Sequence, residues 1–168
     1  YTILDRYKTL QEAASTETWS VKKETYIDLA RRNRFWDPYI EILLFEKLVE
    51  KAIAELNNSQ GKSLGIEKIA RVAQDASESF PDEAVRLFHQ CAEHQIAMKN
   101  RGSYAEACGY LKKIRDIRKA NNQEAAWDSF REELKAKYRQ LRALHDEMRI
   151  AGLYCKEAVL LDPHQPVQ

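Results

Sequence analysis

The chain has 168 residues and a mass of 19.6 kDa, with 44% hydrophobic residues, 32% charged residues, 5 Gly and 4 Pro. This composition is rich in helix formers and too poor in turn residues for a multi-stranded sheet, so it predicts an all-α protein with a sizeable core. The formal net charge of +1 excludes a strongly basic or acidic protein, and no apolar run approaches the roughly 20 residues that cross a bilayer.

The cysteines and the N-terminus indicate the cellular compartment of the protein. Cys91, Cys108 and Cys155 are odd in number and lack Cys-x-x-Cys spacing, which favours reduced thiols in the cytoplasm over a disulfide framework. The N-terminus lacks the basic head and apolar middle of a signal peptide. With no apolar run long enough to cross a bilayer, these features predict a cytoplasmic protein. Because the chain opens on Tyr1 without an initiating Met, we expect a fragment of a longer protein.

One helical pattern occurs twice. In each copy a large apolar residue is followed by an Ala three positions later and by a Leu four positions after that. The copies are Val49, Ala52 and Leu56, and Tyr104, Ala107 and Leu111. This spacing places each set on one face of a helix, where the small Ala allows a neighbouring helix to approach closely. Such repeats are typical of paired-helix arrays.

The first part of the chain predicts three helices. The first runs from Leu4 to Ala14, and Thr18 is a candidate N-cap for the second, which continues to Arg34. The buried face of the second helix is predicted to hold Val21, Tyr26, Leu29 and Ala30. Asp37 is a candidate cap for the third helix, with Pro38 at its first position, where a missing N–H costs nothing.

The next segment ends in a clear loop. Periodicity alone allows one helix from Tyr39 to Leu56, but the analogy with the second copy favours a break near Glu46 to Leu48. Residues 57 to 65 contain two Gly and three Asn or Gln and predict a loop. A helix from about Ile66 to Ser79 follows.

The second half predicts three longer helices. Ser79 is a candidate N-cap for a helix with Pro81 in its first turn. Arg101-Gly102 ends that helix, and Ser103 caps the next, which runs to Asn121. The last long helix is predicted from Glu124 to Ala151.

Gly152 is the predicted C-cap of that last helix. Residues 156 to 161 are expected to add a short helical turn, and residues 163 to 168 to form a disordered tail. The elements together predict a single domain over residues 1–162. We expect an α-solenoid of antiparallel helix pairs, tetratricopeptide-like, with about seven or eight helices.

Candidate sites for metal and for catalysis are weak. His89, Cys91 and His94 are spaced so that His89 and Cys91 face nearly opposite sides of a helix, which disfavours a shared metal ion. The sequence has no Gly-rich phosphate loop and no arrangement of Ser, Cys, His or Asp that suggests a nucleophile. We therefore predict no metal, no cofactor and no enzymatic activity.

Two clusters of cations are candidates for nucleic-acid contact. Arg31-Arg32-Asn33-Arg34-Phe35-Trp36 mixes cations with aromatics, although a helix C-terminus with aromatics over the turn explains it better. Residues 99–142 carry a net charge of +6, from 12 Lys and Arg against 6 Asp and Glu. The candidate contacts there are Lys112, Lys113, Arg115, Arg118 and Lys119. Because Ile114 and Ile117 interrupt them at core spacing, a solvated helix face is the preferred interpretation.

Three segments resemble the helical C-terminal region of SWIM zinc-finger proteins. They are Tyr39 to Ala52, Arg101 to Ile114 and Ala126 to Leu144, and the resemblance covers about residues 15 to 152. It implies an array of helical hairpins appended to a zinc module outside this chain. The family's zinc motif, Cys-x-Cys followed by Cys-x-His, does not occur in this sequence, so the resemblance carries over no site residue.

The leading functional hypothesis is a non-catalytic scaffold for protein–protein interaction, because curved helical arrays present an extended binding surface. The alternative is an accessory nucleic-acid-binding surface in the basic region 99–142. The two differ in salt dependence, since phosphate contacts weaken steeply with ionic strength and apolar anchors do not.

Overall fold

A computed structural model describes residues 2–58 and 64–154. Within these ranges the chain forms nine α-helices and no strand. They are α1 (Ile3–Ala13), α2 (Thr16–Arg32), α3 (Trp36–Phe45), α4 (Val49–Asn57), α5 (Ile66–Ala76), α6 (Pro81–Ala97), α7 (Arg101–Ala120), α8 (Glu124–Lys137) and α9 (Arg142–Ile150). The predicted all-α class is confirmed for the described part of the chain. The solenoid arrangement stays a prediction.

The contacts divide the chain into two compact units, Tyr1–Cys91 and Ala92–Gln168, with the boundary inside α6. The predicted single domain over residues 1–162 therefore stays a prediction. The predicted turn at 156–161 and the tail at 163–168 lie outside the described residues, as do Cys155 and residues 59–63 of the predicted loop. None of the described helices is long and apolar enough to cross a membrane.

In the first unit α3 is the central helix and packs against α1, α2, α4 and α5. Its sequence explains this position, because the run Ile40, Ile42, Leu43 and Leu44 is apolar around most of the helix and all four side chains are buried. The predicted break after α3 is confirmed. Lys47 adopts a left-handed backbone with φ 60°, and the Leu48 N–H donates to the Leu43 carbonyl at 2.8 Å, which closes the helix.

The predicted buried face of α2 is confirmed at Ala30 but is wrong at Val21 and Leu29, and the predicted N-cap is wrong. Ser15, not Thr18, caps the helix by accepting the Thr18 N–H at 3.3 Å. The buried side chains are Trp19, Ile27 and Ala30, while Val21 and Leu29 are 77% and 55% exposed. Trp19 and Ile27 each lie two positions before an expected core residue, on the other side of the helix. They fill the core, and Val21 and Leu29 therefore face solvent.

Two further predictions of helix starts in the first unit are wrong. α3 begins at Trp36 after Phe35, so Asp37 lies inside the first turn and does not cap it, and Pro38 is not at the first position. α6 begins at Pro81, so the residue before it is Phe80 and not the predicted cap Ser79. Pro38 and Pro81 both lie within first turns, where proline lacks only an N–H that has no helical partner.

In the second unit α7 packs against α8 and α9. The predicted buried face of α7 is confirmed, because its core side chains Tyr104, Ala107, Leu111, Ile114 and Ile117 are all buried. The predicted start of α7 is wrong. Asn100 caps the helix by accepting the Ser103 N–H at 2.9 Å, so Arg101 and Gly102 begin α7 rather than end α6.

The predicted long helix from Glu124 to Ala151 is two helices. α8 ends at Lys137 and α9 begins at Arg142, and both pack against α7. The His145 ring stabilises the turn between them, because its Nε2 lies 3.1 Å from the Tyr138 carbonyl oxygen. The C-cap of α9 is Ala151 and not the predicted Gly152, which follows it with a φ of 67°, a conformation that Gly adopts without strain.

Candidate functional site

An apolar groove of about 310 Å³ lies between α1, α2 and α3 in the first unit. Leu10, Leu29 and Phe35 line it and are 45%, 55% and 48% exposed. Tyr7 and Tyr26 form aromatic parts of its wall. Three large exposed apolar side chains around one groove are the feature by which protein-binding surfaces differ from ordinary surface, where such residues are scattered singly. We call this surface the apolar groove.

A buried aromatic cluster supports the apolar groove. The Trp19 ring stacks on Tyr26 with centroids 5.9 Å apart and meets the edge of Tyr7 at 5.0 Å. The Tyr7 hydroxyl donates to Glu46 at 2.9 Å, and burial raises the pKa of that hydroxyl well above its usual range. The groove wall is therefore held by aromatic packing and by a partly buried hydrogen bond, and it is preformed.

A second, charged cleft of about 680 Å³ lies between α2, α3 and α4. Its lining includes three carboxylates and three cations, paired as Glu24 with Lys51 at 3.5 Å, Asp28 with Arg32 at 2.5 Å, and Glu55 with Arg31 at 2.9 Å. Tyr39 lines the same cleft and is buried. Burial first, and then the charge of Glu55, raise the pKa of the Tyr39 hydroxyl. We call this surface the charged cleft.

Leu29 lines both surfaces. On α2 the neighbouring positions separate accordingly, with Tyr26 and Ala30 on the apolar groove and Asp28 and Arg31 on the charged cleft. A segment that crosses Leu29 would therefore contact apolar side chains on one side and charged groups on the other.

The sequence predicts some residues of these two surfaces correctly and others not. Arg31 and Arg32 occupy the last turn of α2, as the preferred interpretation of their cluster predicts. Phe35 does not pack over the turn completely, since it is 48% exposed and lines the apolar groove. Glu55 was missed, although a carboxylate three positions after Ala52 and one before Leu56 falls within the apolar face of its helix.

The five predicted nucleic-acid contacts lie on α7 and differ in their surroundings. Lys112, Lys113 and Lys119 are exposed. Arg115 pairs with Asp116 at 3.0 Å and donates to the Gly152 carbonyl at 3.3 Å. Arg118 donates to the Gln123 side chain. The two arginines are thus engaged within the second unit, which leaves lysines as the more accessible cations of this set.

The cysteines of α6 and α7 belong to the core. Cys91 and Cys108 are buried, and burial raises the pKa of their thiols to about 12 and about 11. Cys91 lies 3.8 Å from the Ile66 carbonyl oxygen, while His94 is exposed. Over residues 2–58 and 64–154 no group of three or more His, Cys, Asp or Glu side chains is placed to hold a metal ion. Protonated, buried thiols are poor nucleophiles and poor ligands.

Comparisons with known proteins add one relative. No protein-family model matches the chain, and no solved structure matches it. The chain is 30% identical over 106 residues to an uncharacterized protein, YwqB, from Bacillus subtilis (strain 168). The match covers 63% of this chain and 20% of the relative, so the chain spans about a fifth of that protein's length. Because the relative is uncharacterized, the similarity assigns no activity.

Proposed function

We propose that this chain is a non-catalytic helical scaffold for protein–protein interaction and that its partner docks in the apolar groove. The observation that carries the proposal is the exposure of Leu10, Leu29 and Phe35 around one preformed groove. Contact between these side chains and water is unfavourable, so a partner that covers them stabilises the complex by burying their apolar surface. The occupant is a segment of another protein that presents apolar side chains at helical spacing.

The resemblance to SWIM zinc-finger proteins adds a context for this function. We propose that the helical array is appended to a zinc module outside the chain and that the protein works in the cytoplasm. The three resembling segments overlap α3 with the start of α4, α7, and α8 with the start of α9. In this proposal the zinc module performs its own task, and the scaffold brings a partner to it.

Selection from a peptide library tests the proposal. A phage-displayed library is panned on the chain, and the selected peptides are measured by fluorescence anisotropy against Leu29→Lys. We expect peptides with two or more apolar anchors, whose affinity falls at least about tenfold in Leu29→Lys because a charge replaces the apolar contact. Val21→Lys is the matched control, since Val21 is exposed on the same helix and is not among the residues that line the groove.

Two outcomes contradict the proposal. Selected peptides that bind Leu29→Lys and the parent equally well place the interaction elsewhere. A library that yields no binder with apolar anchors removes the reason to regard the groove as a docking surface.

A further inference from the structure

Glu55 is the most unusual side chain of the charged cleft. The residue is 8% exposed, and its Oε2 is buried with no hydrogen-bond partner among the described residues. Its Oε1 pairs with Arg31 Nε at 2.9 Å. A buried carboxylate ordinarily accepts several hydrogen bonds, because each lone pair left without a donor loses the bonding it had in water. Glu55 therefore retains acceptor capacity inside the cleft.

Arg31 is a replaceable partner for this carboxylate. Its side chain is 51% exposed, whereas that of Glu55 is 10% exposed, so one ion lies at the surface and the other in the wall. An exposed arginine loses side-chain entropy when it is held in one ion pair, which weakens that pair. A cation from outside can replace it, because Arg31 then returns to solvent and the number of charges in the cleft stays the same. Exchange of Arg31 for an incoming guanidinium conserves the charge of the cleft.

An anionic ligand fits this cleft less well. Arg31, Arg32 and Lys51 each already pair with a carboxylate of the cleft, Glu55, Asp28 and Glu24 respectively. An added anion would compete with all three carboxylates for the same cations. The unfilled bonding capacity belongs to an acceptor, and it therefore favours a ligand that donates N–H groups.

We propose that the charged cleft binds a lysine or arginine side chain of the partner protein, with Glu55 as the acceptor. This inference rests on the proposed function, because Leu29 joins the cleft to the apolar groove. A partner segment places its apolar anchor in the groove and a basic residue, about one helical turn away, over Leu29 and into the cleft. Planar guanidinium suits the site best, since it donates two parallel N–H groups to one carboxylate.

The first test uses methylguanidinium chloride as the probe. Amide and arginine Nε–H resonances of the protein are followed by NMR during titration, with tetramethylammonium chloride at equal ionic strength as a cation without N–H donors. We expect saturable shifts around Arg31 and Glu55 with methylguanidinium only. Glu55→Gln should abolish them, and Glu50→Gln, on the same helix but exposed, should leave them unchanged. Equal shifts with both cations, or none, overturn the proposal.

A second variant keeps the proposal falsifiable if Glu55→Gln does not fold. Arg31→Ala removes the tethered competitor, so methylguanidinium should bind this variant at least roughly tenfold more tightly than the parent. Unchanged affinity in Arg31→Ala overturns the proposal, because Glu55 would then not be the acceptor.

The selected peptides separate this inference from the proposed function. Peptides that need both Leu29 and Glu55, and that carry Lys or Arg near an apolar anchor, support both. Peptides that lose affinity in Leu29→Lys but bind Glu55→Gln normally leave the groove standing and overturn only the basic-residue site. Methylguanidinium binding without any Leu29-dependent peptide supports the guanidinium site at Glu55 and overturns the docking of a partner in the apolar groove.

Discussion

Glu46 and Glu55 are two carboxylates of the first unit whose side chains are 9% and 10% exposed but whose surroundings differ. Glu46 accepts the Tyr7 hydroxyl at 2.9 Å, pairs with Lys23 at 3.0 Å and contacts the Gln11 amide at 3.5 Å. Glu55 pairs with Arg31 through Oε1 and acts on the nearby Tyr39 hydroxyl, while its buried Oε2 has no hydrogen-bond partner among the described residues. Glu46 has several hydrogen-bond and ion-pair partners, and it therefore contributes to the structure of the unit. Glu55 has an oxygen without a hydrogen-bond donor, which makes it the better candidate for binding a ligand.

Ala107 allows the first residue-scale prediction. It is fully buried at the predicted contact position of α7, which packs against α8 and α9. Ala107→Leu should overpack this contact and lower the free energy of unfolding by about 1 to 3 kcal/mol, measured by urea denaturation. Ala105→Leu, exposed on the same helix, should change it little. Equal stability of the two variants would show that the contact has room for the larger side chain.

The buried thiols give a second prediction, on pH. Their pKa values are raised in the folded chain, so the folded state holds protons that the unfolded state releases above about pH 9. Stability from this source is complete below pH 9 and is lost as pH rises towards 11 and 12. We expect the free energy of unfolding to fall by about 1.4 kcal/mol per pH unit for each fully released proton.

Cys91→Ala tests the origin of this pH dependence. Urea denaturation with reductant at pH 8 and pH 10 should show a smaller loss of stability in the variant than in the parent, because only Cys108 then contributes among the two described thiols. The comparison uses the change between the two pH values, so the cost of the smaller side chain cancels. An identical loss in both proteins would contradict the assignment to Cys91.

At the scale of the elements, the ends of the helices are the hardest feature to predict from the sequence. Arg34, Lys47 and Asn122 adopt left-handed backbones with φ of 57°, 60° and 56° after α2, α3 and α7. In each case the next N–H reaches a carbonyl five residues back, at 3.2, 2.8 and 2.8 Å. Lys99, after α6, and Gly152, after α9, also have positive φ, of 53° and 67°. Glycine usually marks such helix ends, and among these five described residues only Gly152 is a glycine.

Lys47→Gly follows from this strain. A side chain in the left-handed region costs about 1 to 2 kcal/mol, and glycine's greater freedom in the unfolded chain offsets part of the relief, so the variant should gain about 0.5 to 1 kcal/mol. Lys51→Gly, exposed within α4, is the control and should lose about 1 kcal/mol. Thermal unfolding measures both. Loss of stability in Lys47→Gly would mean that the lysine side chain contributes more than its backbone costs.

The helix bodies could be predicted and their ends could not. Periodicity located the buried face of α7, because apolar spacing reports packing directly. The break between α3 and α4 came from the analogy with the second copy of the repeat, since periodicity alone allows one helix there. Ser15 rather than Thr18 and Asn100 rather than Ser103 cap α2 and α7, since neighbouring polar residues are equally good caps in isolation. No Gly or Pro marks the break between α8 and α9 in the sequence, and both helices pack against α7.

The candidate site was harder still. Its apolar groove depends on Leu29 and Phe35 being exposed, whereas the sequence placed Leu29 in the core and Phe35 over a turn. Exposure of an apolar residue depends on which helices cover it, and that is a property of three-dimensional arrangement. Glu55 is similar, because only the packing of α2 and α4 shows that Arg31 reaches it.

At the scale of the whole molecule, the distribution of charge favours the proposed protein-interaction scaffold over the nucleic-acid hypothesis. The net charge is +1, so long-range attraction to phosphate is weak, and the excess of cations in residues 99–142 is balanced elsewhere. Within that region Arg115 and Arg118 are already engaged with Asp116, the Gly152 carbonyl and Gln123. The exposed cations Lys112, Lys113 and Lys119 lie on the side of α7 away from the buried Ile114 and Ile117, and three lysines are a small charge with which to hold a nucleic acid.

We therefore expect no nucleic-acid binding tighter than the non-specific range of about 10⁻⁴ to 10⁻⁶ M. Fluorescence anisotropy with single-stranded and duplex DNA and RNA at about 50 mM salt measures this, a condition that favours phosphate contacts. The comparison variant replaces Lys112, Lys113, Arg115, Arg118 and Lys119 together with Gln. Binding tighter than that range in the parent, lost in the variant with a shallower salt slope, would favour the nucleic-acid hypothesis. Equal, weak binding in both would contradict the nucleic-acid hypothesis and would leave the apolar groove as the proposed docking surface.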